Sequence, residues 1–305
     1  MHSVLSKKNK TFQAVLVFVM LLIMLITIYP VWYTVINSLN DPGDLAQNGY
    51  VMLLPREFTL ASWKTVLADT QIMRALLVTI CRTVLVTIFQ TLITSMFAYG
   101  FSRPNLTGRK LYSALGFICM YLNGGTVAYF ILFNTLHLYD TFWVYVFPCL
   151  FGGFYNVIIY NANFKTLPES LYESAKIDGA NEMTIFFRIV FPLSKPVISA
   201  LGIFTAVGMW NNYTQTLYFT RDKNLWTLAY YTLALTKSTE SAAAMASSAA
   251  GVSVVGMLSN STDAVMQFKT IEMSCMILSA LPLIIAYPFA QKFFEKGVMV
   301  GSVKG

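Results

Sequence analysis

Trp210-Asn211-Asn212-Tyr213 sets two amides between two aromatic rings, at the end of an otherwise apolar stretch. Aromatic faces pack against the C–H faces of a sugar, and amides supply partners for its hydroxyls. A belt of aromatics at a membrane surface accounts for the two rings but not for the paired asparagines. Asn156, Tyr160 and Asn163 recur at i, i+4 and i+7, the spacing of one helix face. Amides left unpaired in hydrocarbon cost several kcal/mol each, so this face is expected to look into protein or a polar path, with helix–helix hydrogen bonding as the alternative. Arg82 stands among Thr79, Thr83, Thr87, Gln90, Thr91 and Thr94. A charge at membrane depth needs a cavity, a partner or the interface, so Arg82 either lines a path or snorkels to the outer surface. The threonines either line the same path or bond their own i−4 carbonyls.

Covalent and metal chemistry find little support. His2 and His137 are far apart, and Cys81, Cys119, Cys149 and Cys275 show no CxxC or Cys/His spacing. The cysteines fall in or beside apolar runs and read as small apolar fillers. No cofactor, metal or catalytic residue is expected.

The elements that must hold these residues are membrane helices. Of 305 residues 56% are hydrophobic and 11% charged, and mean hydropathy is +0.59; this is not the composition of a soluble domain. Largely charge-free runs predict six spans, at about 12–36, 72–100, 111–134, 141–163, 196–218 and 270–291, the second starting upstream of its run and carrying Arg82 inside it. The run over 241–262 is rich in alanine and serine and only weakly apolar, so it is assigned to a long outer loop, 221–269. Lys7-Lys8-Asn9-Lys10 precedes a run too long for a signal peptide and without a cleavage pattern, which favours an uncleaved first span.

Basic residues orient the chain. With the N-terminus inside, 13 of 21 lie in inner segments: Lys7, Lys8, Lys10, Arg103, Arg109, Lys110, Lys165, Lys176, Arg188, Lys195, Lys292, Lys296 and Lys304. Both termini are then cytoplasmic. The net charge of +7 reads as topology and not as nucleic-acid binding.

The inner segment 165–195 mixes charge with apolar residues more than any other internal stretch. Pro168 and Glu169 suit a helix start, Leu171 and Ala175 share a face, and Gly179 can take the positive φ that stops a helix. Asn181 can cap a second helix with Glu182 in its first turn, ending at Pro192. The prediction is a helix–turn–helix with a corner at Asp178-Gly179-Ala180.

E-S-A-K-I-D-G-A, followed by F-F-R-I-V-F-P, resembles the "EAA" loop in permease subunits of ABC-type importers. Glu173, Ala175, Asp178, Gly179, Ala180, Ile189 and Pro192 match, and Ser174 replaces the first alanine. The ending, from L-P-L-I-I-A-Y-P to G-S-V-K-G, is similar to that of maltose-importer-type permeases, in the branch moving complex oligosaccharides. The M-L-L-P-R-E-F-T-L-A-S-W-K stretch and the Trp-Asn element at Trp210 resemble the same carbohydrate permeases. The resemblance implies an all-α, six-span permease fold with a cytoplasmic coupling helix between the fourth and fifth spans. It further implies a second homologous permease subunit, two ATP-binding subunits that hold ATP and Mg, an extracellular sugar-binding protein and a bacterial cytoplasmic membrane. The tail at 292–305, with Gly301, Ser302, Lys304 and Gly305, would reach the ATPase subunits, its glycines permitting an extended backbone. A secondary transporter or channel is the alternative; it predicts acidic residues within spans, and the charge-free runs leave the acids to loops.

Overall fold

The computed structural model describes residues 7–122, 124–249 and 255–302. Regular structure among them is helical, with a single antiparallel bridge between Asn40 and Phe58. The chain forms two compact units, Met1–Asp69 with Ala234–Ala280, and Thr70–Leu233 with Leu281–Gly305.

Three helical stretches, Phe12–Ser38, Thr70–Ser102 and Val265–Pro288, are long and apolar enough to cross a membrane alone. They belong to α1 (Lys7–Ser38), α4 (Thr70–Ser102) and α14 (Val255–Ser302). Three bent pairs meet the same criterion jointly. The first is α5 (Arg109–Tyr121) with α6 (Gly125–Thr135), and the break falls at the adjacent glycines Gly124-Gly125; Asn123 lies outside the described residues. The second joins two short 3₁₀ turns, spanning Phe142–Cys149, to α7 (Gly153–Phe164) at 47°. The third joins Glu182–Leu193 to α11 (Lys195–Asn211) at 82°.

One predicted stretch needs correction and another needs refinement. The stretch 196–218 is not one helix: α11 ends at Asn211, Asn212 is extended, and α12 (Thr214–Phe219) starts afresh. Two consecutive asparagines there compete with the helix through their side-chain amides. The helical run that Asn181 starts ends at Leu193, one residue past Pro192, but it is not a uniform α-helix. After α9 (Glu182–Ile185) the backbone widens into a π turn, Phe186–Val190, before α10 (Phe191–Leu193). A proline ring crowds the carbonyl four residues back, here Arg188, and widening the turn relieves that clash.

In the second unit α4 is the axis, packing on both α7 and α11. Its C-terminal half joins a core of Tyr99, Phe101, Phe154, Tyr160, Phe164, Tyr172, Phe186 and Val190. One approach depends on glycine: a Cβ on Gly116 would lie 2.4 Å from the Phe154 ring.

The first unit is fastened by polar groups. Asn40 accepts from the Arg56 and Glu57 backbone N–H groups at 2.7 and 3.0 Å and donates to Asp44 at 2.7 Å. Arg56 pairs with Asp44 at 2.8 Å. Phe58 is two-thirds exposed in this chain. Within the predicted sixth span Glu272 is buried, with Lys269 Nζ at 3.0 Å and the Thr236 and Thr239 hydroxyls at 3.0 and 2.7 Å. The Ala/Ser-rich part of the predicted outer loop is helical to Ala249, in α13 (Leu228–Ala249), and again from Val255. Alanine is the best helix former, which outweighs its weak hydrophobicity.

Candidate functional site

The corner at Asp178-Gly179-Ala180 is built from local chemistry. Helix α8 (Glu169–Ile177) carries Glu169 in its first turn and Lys176 in its last, both favourable to its dipole. It ends in a Schellman motif: Gly179 N–H donates to the Lys176 carbonyl at 3.0 Å and Ala180 N–H to the Ala175 carbonyl at 2.9 Å. Gly179 sits at φ +77°, which side-chain-bearing residues avoid. Asn181 Oδ1 then accepts the Thr184 N–H at 2.8 Å and starts α9.

One face of α8 is anchored and the other is presented outward. Tyr172 and Ala175 are buried, replacing the predicted Leu171/Ala175 face, while Leu171 is 37% exposed. Tyr172 reaches the core because its ring fills the space beside Phe164, whose carbonyl accepts from its hydroxyl at 3.4 Å. Glu173, Ser174, Lys176, Asp178 and Gly179 are exposed, and Ile177 at the tip is 87% exposed. Ile189 is half-buried and packs on the core, and Pro192 sits in α10.

A second set of contacts ties this corner to the end of α4. Tyr99 on α4 donates to Glu182 Oε2 at 2.5 Å, and Lys176 pairs with Glu182 Oε1 at 2.9 Å. The Arg103 guanidinium lies 4.8 Å from the Tyr99 ring centre and 3.8 Å from that of Tyr172. The Tyr99 hydroxyl, then Lys176, hold the Glu182 carboxyl below its ordinary value of 4.5. Helices α4, α8 and α9 are thereby clamped together at one point.

Arg82 marks the other half of α4. It is fully buried, its Nη1 donates to the Asn212 carbonyl at 3.1 Å, and it lies 5.0 Å from the Tyr145 ring centre. The Tyr145 hydroxyl meets Thr216 and Thr220 at 3.0 Å each and the Leu225 carbonyl at 2.8 Å. Arg82 therefore does not snorkel to the surface of this chain; it reaches the carbonyl freed where α11 breaks.

The remaining predicted path residues divide. Trp210 is buried and lines a largely apolar cavity of about 530 Å³ with Thr83, Phe204, Val207, Leu283 and Tyr287. Asn211 is exposed and donates to the Val207 carbonyl at 3.1 Å, and Asn212 Oδ1 accepts from Gln215 N–H at 3.3 Å. Both amides thus serve the backbone, and Tyr213 is 41% exposed. Asn156 and Gln90 converge on Gly152, where a Cβ would lie 2.7 Å from either amide nitrogen. Tyr160 is buried and stacks on Phe164 with ring centres 6.0 Å apart. The threonines also divide: Thr79 bonds the Ala75 carbonyl at 2.8 Å and Thr94 accepts from Gly152 N–H at 2.9 Å. Thr83 and Thr87 Oγ1 are buried without a partner. Gly301 and Ser302 lie in α14, helical and not extended, whereas Lys304 and Gly305 lie outside the described residues.

Sequence reasoning missed Tyr99, Arg103, Tyr145 and Glu272. Glu272 had a usable signal, an acid within a predicted span. The other three gain meaning only through contacts distant in sequence.

Residues 90–300 match the model of a family described as the binding-protein-dependent transport system inner membrane component. Protein LplC of Bacillus subtilis is 32% identical over 92% of this chain and 90% of its own length. The polygalacturonan/rhamnogalacturonan transport system permease protein YtcP of the same organism is 32% identical over 98% of this chain and 100% of its own. A chain from the crystal structure of a bacterial ABC transporter involved in the import of the acidic polysaccharide alginate superposes with a TM-score of 0.78 at 25% identity, covering 95% of this chain and 98% of that one.

Proposed function

Because the chain belongs to the binding-protein-dependent transport system inner membrane component family, we propose that its exposed Asp178-Gly179 corner takes the stroke of an ATPase subunit and passes it to α4. The chain is a membrane-spanning permease subunit of a sugar-importing ABC transporter and not an enzyme. It is a multi-pass inner-membrane protein. Its finer arrangement is our reading: six crossings, the third bent pair crossing by its α11 arm alone, with Glu182–Leu193, the rest of the segment 165–195 and both termini in the cytoplasm.

One observation carries the coupling role. The corner holds an 87% exposed isoleucine at its tip, yet is clamped to α4 through Tyr99, Glu182, Arg103 and Tyr172. An apolar knob presented to water is costly unless a partner covers it, and a clamp beneath it passes displacement on. Glu173, Ala175, Asp178, Gly179, Ala180, Ile189 and Pro192 form or support this element. ATP and Mg belong to two partner ATPase subunits, whose closure would favour one of two conformations of the spans. A second permease subunit completes the path, and an external sugar-binding protein delivers the cargo, an oligosaccharide by likeness to the relatives. Asn156, Tyr160, Trp210, Tyr213 and Arg82 belong to the path in this reading; the backbone-bonded Asn211 and Asn212 shape the α11–α12 break beside Trp210 and Tyr213, where Arg82 reaches the Asn212 carbonyl. The tail from Lys292 onward, including Gly301, Ser302, Lys304 and Gly305, extends toward the ATPases.

A gradient-driven transporter would need a titratable acid along the path. Glu272 is such an acid by position, but it is already neutralised by Lys269 and bonded by two threonines. Co-purification from the native membrane tests the reading. We expect an ATPase and a second permease to accompany the protein, and uptake to require ATP and compete with oligosaccharides. Full uptake by the isolated chain, driven by an ion gradient, would overturn it.

A further inference from the structure

An apolar hollow with a cation at its rim lies at the end of α4 that carries Tyr99. Met96, Phe97, Gly100 and Phe101 of α4, Leu106 of the following turn and Tyr112 in the first turn of α5 line a cavity of about 310 Å³. Phe101 is its floor, buried and set edge-on against Phe154 with ring centres 5.6 Å apart. Phe97 and Tyr112 are 45% and 48% exposed, so the hollow opens at the surface. Gly100 shares a helix face with Met96 and Phe97, and no heavy atom lies within 4 Å of where its Cβ would be. The space is there because residue 100 has no side chain to fill it.

Membrane depth and charge name the occupant. The stretch Thr70–Ser102 is long and apolar enough to cross alone, so Gly100 and Phe101, at its end, lie where acyl chains meet headgroups. The Arg109 guanidinium lies 5.4 Å from the Phe101 ring centre. Arg109 is half-buried, and its Nη2 has no partner. Arg103 in the same turn is spent on the Tyr99 and Tyr172 rings, whereas Lys110 is exposed. No acidic residue occurs between Asp69 and Asp140. Among the described residues the ion pairs are Arg56–Asp44, Lys176–Glu182 and Lys269–Glu272, so neither Arg109 nor Lys110 is neutralised by one of them. A free inorganic anion would use these cations and leave the hollow empty; a neutral lipid would fill the hollow and leave the cations unmatched. An anionic phospholipid uses both, its phosphate on Arg109 and Lys110 and an acyl chain against Phe97 and Phe101.

We propose that this hollow is a binding site for an anionic phospholipid, wedged between the end of α4 and the start of α5. The site depends neither on the cargo nor on the coupling role of the Asp178-Gly179 corner. It adjoins that corner all the same, because Arg103, in the turn that joins the two helices, is part of the clamp on Tyr99 and Tyr172.

The test uses the protein purified in its native assembly in a neutral detergent. It is titrated with phosphatidylglycerol or with phosphatidylcholine of the same acyl chains, and bound lipid is counted by native mass spectrometry. Wild type is expected to retain phosphatidylglycerol in preference. Arg109→Gln should cut that preference at least about fivefold, the ratio that about 1 kcal/mol for one basic residue at an anionic headgroup gives. Gly100→Leu keeps both cations, places a good helix former in the hollow, and should lower retention of either lipid. Should Arg109→Gln fail to assemble, Gly100→Leu decides alone. Wild-type retention of phosphatidylglycerol in a variant that assembles would overturn the site. Equal retention of the two lipids by wild type would overturn it too, since a side chain of a partner subunit would then be covering the cations. Inorganic phosphate in excess should leave the bound lipid in place; its displacement would reduce the hollow to a free-anion site and refute the lipid.

Discussion

Replacing Gly179 separates backbone geometry from side-chain bulk at the proposed coupling corner. Gly179 sits at φ +77°, and no heavy atom lies within 4 Å of where its Cβ would be. A substitution therefore meets no clash, and its whole cost is that of holding an L-residue in the left-handed region. That cost is about 1–2 kcal/mol for an ordinary residue, higher for a β-branched one and lower for asparagine. At 1.4 kcal/mol per decade, valine shifts the corner by roughly 5- to 30-fold toward conformations lacking the Schellman bonds to Lys176 and Ala175. The clamp through Glu182 starts three residues later and loses its register with them. The assay is the assembled complex in liposomes, with ATP hydrolysis and sugar uptake measured on one preparation. Gly179→Val should keep hydrolysis while uptake per ATP falls at least about fivefold, and Gly179→Asn should stay within about twofold of wild type. If valine and asparagine behave alike, whether both inert or both damaging, the sign of φ is not what the corner contributes, and the reasoning fails.

Other perturbations probe separate links. Gly116→Ala drives a methyl into the Phe154 ring and should cost about 1–3 kcal/mol, read as a lower unfolding midpoint of the complex; an unchanged midpoint would mean that α5 and α7 yield freely. Tyr99→Phe removes the donor to Glu182 and should weaken uptake per ATP with a stability loss of about 1 kcal/mol or less, whereas normal coupling would show that α4 receives motion elsewhere. The Glu182 carboxyl is held below 4.5 in the folded state by Tyr99 and Lys176, so its stabilisation is complete above about pH 4.5 and is lost as pH falls through the depressed value. The difference in unfolding midpoint between wild type and Glu182→Gln should accordingly be flat near neutrality and shrink below pH 4.5; a constant difference would leave the charge without a role. Asp44→Ala strands Asn40 and Arg56 together and should expose the 40–57 segment to proteolysis, and wild-type resistance would show the knot to be redundant.

How much was legible follows from the range of the interactions involved. The 178–180 corner could be read because each bond that makes it lies within six residues: a glycine for positive φ, an asparagine cap, an acid and a base at the helix ends. Long apolar helices were legible in outline because hydrocarbon thickness imposes a length on apolar runs, and three helical stretches are long and apolar enough to cross alone. The interruptions were less so. Gly124-Gly125 advertises its break, but Asn211-Asn212 reads as ligand chemistry, and only the structure shows both amides turned onto the backbone. Alanine and serine at 241–249 read as loop because hydropathy was the criterion, although helix propensity says the opposite.

Arg82 shows where such reading stops and why. Its type and depth announce a cost, and that much is visible in sequence. Whether the cost is met depends on Asn212, 130 residues on, and on Tyr145, held by hydroxyls and a carbonyl more than 70 residues beyond it. No periodicity links such positions, because each belongs to a different helix and their meeting is set by packing. The same distance gives α4 its importance. Arg82 and Tyr99 lie 17 positions apart on one uninterrupted helix, about 25 Å at 1.5 Å per residue. A helix of that length with no proline to kink it moves largely as a body. Tilting the end that Tyr99 clamps must displace the end from which Arg82 reaches the α11–α12 break, so the corner and the buried charge answer to one motion.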